Sequence, residues 1–581
     1  MNKKVVTLSI VITMVAAFSF RRAINRSSVP VVITRAVVYK NKMLAYCSPD
    51  WSVINADSLA NFISPLPGWG NYHWKIATSQ DSAQFYFNQG INMYYAFHII
   101  EAMASFKKAE QFDANNCMIF WAQALAYGPN INDYEYKAFN DALSNARKAK
   151  QFSKRATPKE QALINAMLTR YSADTTISRV TLNGLYAAEM KTAYQTFSND
   201  PDVSTLYADA LLVQHPWEYW KHNGMPQPWT PEILSVLEHT LKLLPNHPGA
   251  NHYYIHATEA SPNPARAIAS ADRLGTLMSG VSHMIHMPSH IYIRTGNYDK
   301  GVKVNEMSVS GYQQYRKLYP AVESNAPLYL IHNLHMQAAC AMFRSNYAYS
   351  LQSARDAAAT FDTSFMSMPQ PFGNFVQYVY LTPIMVNVRY GKYNEVLQQE
   401  PLPANYVYAN ALINWAKGMA YANTSDITKA KHQLASLQKI MQHNDLKIVM
   451  TPFNSALDAL KVAEKLLEGS IYEKTGESAR AIASYRQAVL FEDALIYNEP
   501  RDWLIPTRHY LANGLIKNKE YIAAYQVLQQ DLHQNPANFY ALSGMVTLLG
   551  KLGKKTEQIK YERQLKKAFV YADTKEPQLI Y

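Results

Sequence analysis

The sequence predicts an all-α protein, a right-handed α-solenoid of helix-turn-helix repeats, and three observations carry that prediction. Apolar residues recur at helical spacing through most of the 581 residues, while the period-two alternation of strands is hard to find. The 28 prolines and 21 glycines punctuate this pattern into helices of roughly 10 to 16 residues. Small and large residues also recur at fixed offsets: Gly90 is followed by Ala102, Phe106 and Ala109 at 12, 16 and 19, and Gly469 by Ala481, Tyr485 and Ala488 at the same offsets.

Those offsets let two antiparallel helices pack closely, as in the 34-residue tetratricopeptide repeat (TPR). A chain of this length exceeds one core of ordinary size, and an extended array accommodates it. In order, the reading gives a signal peptide or short anchor at 1–20, a turn-rich lead-in at 21–79 and N-terminal repeats at 80–203. Histidine-rich central repeats follow at 204–360, and C-terminal repeats with a capping helix at 361–581. Lys3 and Lys4 precede an apolar run of 16 residues, Val5 to Phe20, which fits a secretory n-region and h-region. Export to the periplasm or the medium is therefore expected, with membrane association through the N-terminus as the alternative and no other run of membrane-spanning length.

Within the repeats, Gly128-Pro129 stops one helix and Thr157-Pro158 starts another. The triplets Gly296-Asn297-Tyr298, Ser345-Asn346-Tyr347 and Gly391-Lys392-Tyr393 mark inter-helix turns. The basic run Lys551 to Lys567 reads as the polar face of a terminal capping helix. The net charge of +12 is spread along the chain, which describes a solvated surface rather than a nucleic-acid site. Three scattered cysteines, Cys47, Cys117 and Cys340, make neither a disulfide framework nor a metal knuckle. No Walker-type loop, GxSxG elbow, HExxH helix or RNP-like string supports nucleotide, serine-hydrolase, zincin or RNA-binding readings.

The chemistry points to the histidines, 11 of whose 17 lie between His215 and His335. His252 and His286 are 34 residues apart, and so are His256 and His290. In repeat register, His252, His256 and Glu259 occupy positions 5, 9 and 12 of a first helix beginning at Pro248. His283, His286 and His290 occupy positions 2, 5 and 9 of the next, beginning at Ser282. A third repeat beginning at Ile331, after a 15-residue insertion, places His332 and His335 at positions 2 and 5. Steps of three and four return to one helix face, and first helices line the concave groove of such arrays.

The strings HPGANHYYIHATEAS, HMPSHIYIRTGNY, FNQG, EAMASFKKA and ALAYGPNIN resemble a family of exported bacterial TPR-containing proteins over roughly residues 70 to 570. The resemblance implies the fold and an export route and carries no established activity. Gly301 and Ser308 depart from the alanines usual in the repeat.

Neutral imidazole is the commonest metal ligand near neutral pH, and helix axes about 8 to 10 Å apart let imidazoles from neighbouring helices share one ion. The candidate ligands are His252, His256, Glu259, His283, His286, His290, His332 and His335, with His247 and His215 behind them. Three histidines with a carboxylate suit zinc or iron, and an all-histidine set also suits copper. An open position would permit metal-dependent hydrolysis or oxidation, with Glu259 and Arg294 as catalytic candidates. The alternative is a non-catalytic interaction protein holding a peptide, protein or small molecule in the groove. Pro288 either kinks the His283–Ile293 helix or begins it, leaving His283 and His286 on a loop.

Overall fold

Each helix pair closes where the sequence sets a small residue against a large one. In the computed structural model, a Cβ on Gly90 would lie 2.4 Å from the Phe106 ring, and one on Gly469 would lie 2.5 Å from the Tyr485 ring. Glycine alone permits that approach, and it fixes the pairing of Asp81–Tyr95 with Ile99–Phe112 and of Ala456–Lys474 with Ser478–Asp493. The chain continues as such pairs into a right-handed TPR-like solenoid, and among the described residues only two isolated β-bridges occur and no strand.

The structure describes residues 49, 51, 54–61, 63–132, 136, 140–318, 326–450, 453–574 and 576–581. The expected signal segment, the first half of the lead-in and Cys47 lie outside them. Among the described residues, no helix is long and apolar enough to cross a membrane.

The inter-helix turns use the left-handed backbone region, which ends one helix and redirects the chain. Gly296, Ser345 and Gly391 have φ of 75, 58 and 63° and lead into Tyr298–Leu318, Tyr347–Ala359 and Tyr393–Leu397. The described residues of the insertion after the second histidine helix are helical. Tyr298–Leu318 extends over 21 residues, 319–325 are outside the described residues, and the next helix begins at Ala326 rather than Ile331.

The described part of the lead-in holds a short helix, Ala56–Leu59, and then a turn-containing stretch that packs into the core more closely than its sequence suggests. Trp69, Trp74 and Ile76 are buried, the Trp74 N–H donates to Asn88 Oδ1 at 3.1 Å, and the Gly280 N–H donates to the Gly68 carbonyl at 2.7 Å. The apolar core falls mainly into two clusters, one from Trp51 to Tyr315 and one from Ala338 to Leu579, within the single compact unit Met43–Tyr581. The array curls back on itself, since the Tyr347 and Ala348 N–H groups donate to the Asp573 carboxylate at 2.7 and 2.8 Å. Cys117 and Cys340 are buried free thiols, and on the terminal helix Lys555–Phe569 only Leu565 is buried.

Candidate metal centre

The Pro248–Thr258 helix starts on His247, whose Nδ1 accepts from the Ala250 N–H at 3.1 Å, with Pro248 in its first turn. His252 and His256, one turn apart, face the end of the Asp81–Tyr95 helix. Carbonyls at a helix end lack intrahelical partners, and the Tyr95 carbonyl accepts from His252 Nδ1 at 2.6 Å. That bond fixes the His252 tautomer, so its Nε2 holds a bare lone pair. His256 Nε2 and His283 Nε2 lie 3.1 and 3.2 Å from it. One lone pair cannot accept two in-plane hydrogen bonds, whereas three such nitrogens can share one cation.

A second triad lies beside the first. The Asn305 amide donates to the Gly301 carbonyl at 2.8 Å, which turns Asn305 Oδ1 toward His286 Nδ1 at 2.5 Å. His286 Nε2 is thereby left bare at 2.8 Å from His290 Nε2, and His332 Nε2 lies 3.3 Å from His290 Nε2. Within each of the sets His252/His256/His283 and His286/His290/His332 the candidate ligand atoms lie within 4.8 Å of one another. Glu259 stands behind both: Oε1 is 3.3 Å from His256 Nδ1 and Oε2 is 2.7 Å from His290 Nδ1. Glu499 also meets His290 Nδ1, from a loop more than 200 residues downstream.

The helix break at Pro288 distributes the histidines. Ser282–His286 and Pro288–Arg294 run end to end with Met287 still in the αR region. Pro288 opens the second segment without sending His283 and His286 onto a loop, so elements of both alternatives are present. His283 joins the first triad, and His286 with His290 forms the second.

Burial pushes the pKa values of His252, His283, His286 and His332 well below the usual histidine range, and neighbouring imidazoles push them further. These rings are neutral at pH 7, the form that binds metal. His290 is the exception. Burial lowers its pKa, but the Glu499 and Glu259 carboxylates raise it to about 10. Burial would raise Glu259, and the adjoining His256 and His290 instead hold it down at about 2. Burial, with Glu259 nearby, takes Glu499 up to about 7 against the pull of His290.

Aromatic rings cover the first triad. Phe97, with φ of 58°, sets its ring 4.5 Å from His252, 5.8 Å from His256 and 6.1 Å from His283. Trp217 meets His256 edge-on at 5.2 Å, and Tyr329 lies 4.7 Å from His283. The histidines expected on an open concave groove are thus buried: His252 and His286 are 0% exposed and His290 is 5% exposed. Phe97, Trp217, Tyr329 and Glu499 close over them.

The remaining predicted residues stand outside the triads. His335 Nε2 lies 3.0 Å from Thr382 Oγ1, and burial takes its pKa down to about 3. One turn along from His332, it is directed at the following helices. His247 caps its helix and packs 4.9 Å from the Tyr95 ring, behind the carbonyl that orients His252. His215 ends the Pro201–Gln214 helix and stacks on Trp229 at 3.6 Å. Arg294 is turned toward the Ser261 carbonyl at 3.2 Å and the Tyr497 ring at 4.8 Å. Tyr95, Phe97, Asn305 and Glu499 were not signalled by any local pattern. Only Asn305, 19 residues from His286, was near enough in sequence for the repeat register to offer it.

The tetratricopeptide repeat family model matches residues 466–492. No curated protein matches the chain in sequence. Among solved structures, the chain is similar to the human IFIT1 dimer with m7Gppp-AAAA, at 14% identity, 92% of this chain, 99% of that chain and a TM-score of 0.29. It is similar to yeast Tom70 at 10% identity, with 85% and 92% covered and a TM-score of 0.28. It is also similar to the APC/C hetero-tetramer Cut9-Hcn1 at 13% identity, with 85% and 78% covered and a TM-score of 0.28.

Proposed function

We propose that this chain is an exported TPR-solenoid protein whose buried centre holds two transition-metal ions, one on His252, His256 and His283 and one on His286, His290 and His332. The supporting observation is that Tyr95 and Asn305 tie up Nδ1 of His252 and His286, leaving bare Nε2 atoms within 3.2 Å of further imidazole nitrogens. Acceptors behind the far ring nitrogen are the usual outer support of a metal-bound histidine. The donor set fits zinc, iron or copper. An ion held by three imidazoles retains an open position and would supply Lewis-acid or redox chemistry there, the basis of a hydrolase or oxidase reading. His335 is not proposed as a ligand.

A second reading is favoured by the Phe97, Trp217 and Tyr329 cover: the ions stabilise the array, and the protein acts as a non-catalytic scaffold whose surface holds a protein or peptide partner. Elemental analysis of protein purified from its native compartment tests the common premise. About two equivalents of one metal are expected, and less than about 0.2 equivalents, with melting unchanged by chelator, would sink it. Sequencing the N-terminus of the mature protein tests export, with removal of residues near 20 expected.

A further inference from the structure

The Phe372–Tyr380 helix, the start of the Val407–Asn423 helix and the loop after Ser478–Asp493 meet around a partly open cleft. Asp502 lines it. Asn454 Nδ2 donates to one of its carboxylate oxygens at 2.6 Å and Asn498 Nδ2 to the other at 3.0 Å, and amide donors on both oxygens favour the ionised form. Among the described residues that charge has no counter-ion. Asp502 forms no salt bridge, the further charge acting on it is the Asp458 carboxylate, and Arg501, next in sequence, faces Glu492 and Asp531 instead. Buried carboxylates are ordinarily paired. The walls are aromatic, from Phe375, Tyr378, Tyr408 and Phe453. Burial, with the Asp502 charge adding to it, pushes the Tyr378 and Tyr408 hydroxyls up, which puts that charge near both rings. Asn374, whose Nδ2 donates to the Asp445 carbonyl at 2.9 Å, adds a buried Oδ1 without a hydrogen bond.

The water-accessible volume is about 50 Å³, room for a few waters or the tip of one side chain and far short of a whole small-molecule ligand. Apolar residues rim it. Ile448 lines the cleft, exposed Val449 is bridged to the lining Ser455, and the carbonyl of exposed Ile496 accepts from the Asn454 amide at 2.8 Å. We propose that this cleft takes the ammonium end of a lysine side chain presented by a polypeptide partner, with Asp502 as its counter-ion and the partner's backbone lying across the apolar rim. Ammonium groups are attracted to aromatic faces, and three N–H donors can meet Asp502 and Asn374 Oδ1 together. A compact ammonium suits so small a volume better than a planar guanidinium. The polypeptide partner belongs to the scaffold reading, on which this assignment rests, and the metal ions play no part in it, since no histidine lines the cleft.

Fluorescence polarisation of the full chain with a labelled peptide carrying one lysine between two valines tests it, beside the same peptide with norleucine or arginine at the lysine position and n-butylamine as a competitor. The lysine peptide is expected to bind with Kd at or below about 0.1 mM, and the norleucine and arginine peptides at least about tenfold more weakly. Butylamine should compete at least about tenfold less well than unlabelled lysine peptide, because it lacks the contacts to the rim. Asp502→Asn should weaken binding about tenfold or more. Phe453→Leu, which removes one ring and keeps the carboxylate, should weaken it about threefold and is the second variant if the first does not fold. No binding of the lysine peptide, or equal binding of the norleucine peptide, overturns the proposal. Binding unchanged by both variants overturns it too, by placing the peptide elsewhere on the surface, and leaves the scaffold reading standing. Competition by butylamine as strong as that of the peptide overturns it by assigning the cleft to a free amine. Lysine- and Asp502-dependent binding by a chain that takes up no metal would sustain it while the metal reading falls.

Discussion

Glu259 and His290 are joined through Oε2 and Nδ1 at 2.7 Å, while the other Glu259 oxygen lies 3.3 Å from His256 Nδ1. One buried carboxylate therefore orients a histidine in each triad. Glu259→Gln keeps one acceptor and turns an amide N–H₂ toward the second imidazole, so it should weaken metal binding by about 10- to 100-fold at the triad that the amide faces. Chelator competition on the folded variant measures this, and unchanged affinity at both triads would remove Glu259 from the support of the centre.

The two triads imply a stoichiometry. His252→Ala should remove one equivalent of metal and His332→Ala the other, because each residue belongs to a single set. His256→Ala combined with His290→Ala should remove both. If either single variant abolishes all binding while the protein remains folded, the six imidazoles make one shared site instead of two.

How much of this was legible in sequence depends on how far each contact reaches. The 34-residue spacing placed the central histidines in register because repeats copy a local geometry, and the Gly90–Phe106 and Gly469–Tyr485 offsets named real contacts for the same reason. Burial of the centre was not legible. It depends on Tyr95, 157 residues from its partner His252, and on Glu499, which the curl of the array carries back to His290. Repeat periodicity describes neighbours and contains no term for how tightly the superhelix closes. The direction of His335 was hidden for a related reason: position in register states a helix face, and the helices packed on that face decide what it meets.

His247 and His335 separate capping and packing from ligation. His247→Ala removes the N-cap acceptor of the Pro248–Thr258 helix and empties the space its buried ring fills beside Tyr95, so it should cost more than the ~1 kcal/mol of a cap loss alone, with both metal equivalents retained. His335→Ala should likewise retain both. Melting curves beside elemental analysis distinguish the effects, and loss of metal from either folded variant would enlarge the ligand set.

Gly469→Ala tests the repeat contact without touching the centre. The added methyl would meet the Tyr485 ring at 2.5 Å, and overpacking of this kind costs about 1 to 3 kcal/mol. Denaturant unfolding should show that loss. A neutral or stabilising effect, as expected for Gly→Ala in an open helix, would mean that the pair has room to separate.

The two triads should differ in pH dependence because of His290. In the metal-free chain Glu499 and Glu259 hold its pKa at about 10 despite burial, above the unfolded value of about 6.5. The stability this contributes is fully present below pH 6.5 or so and is lost as pH rises through about 10. A metal on His290 Nε2 must first displace that proton. Affinity at the second triad should therefore rise about tenfold per pH unit between about pH 7.5 and 9, with about one proton released per ion. Below that window Glu499, at about 7, also takes up a proton and complicates the slope. At the first triad burial already keeps His252 and His283 neutral, so a shallower dependence is expected there. Chelator competition at three pH values, corrected for chelator protonation, measures both slopes, and titration in buffers of different ionisation heat counts the protons. Equal, flat slopes would mean that His290 is a neutral ring in the metal-free protein, with its Nδ1–H shared between the two carboxylates and Nε2 already bare.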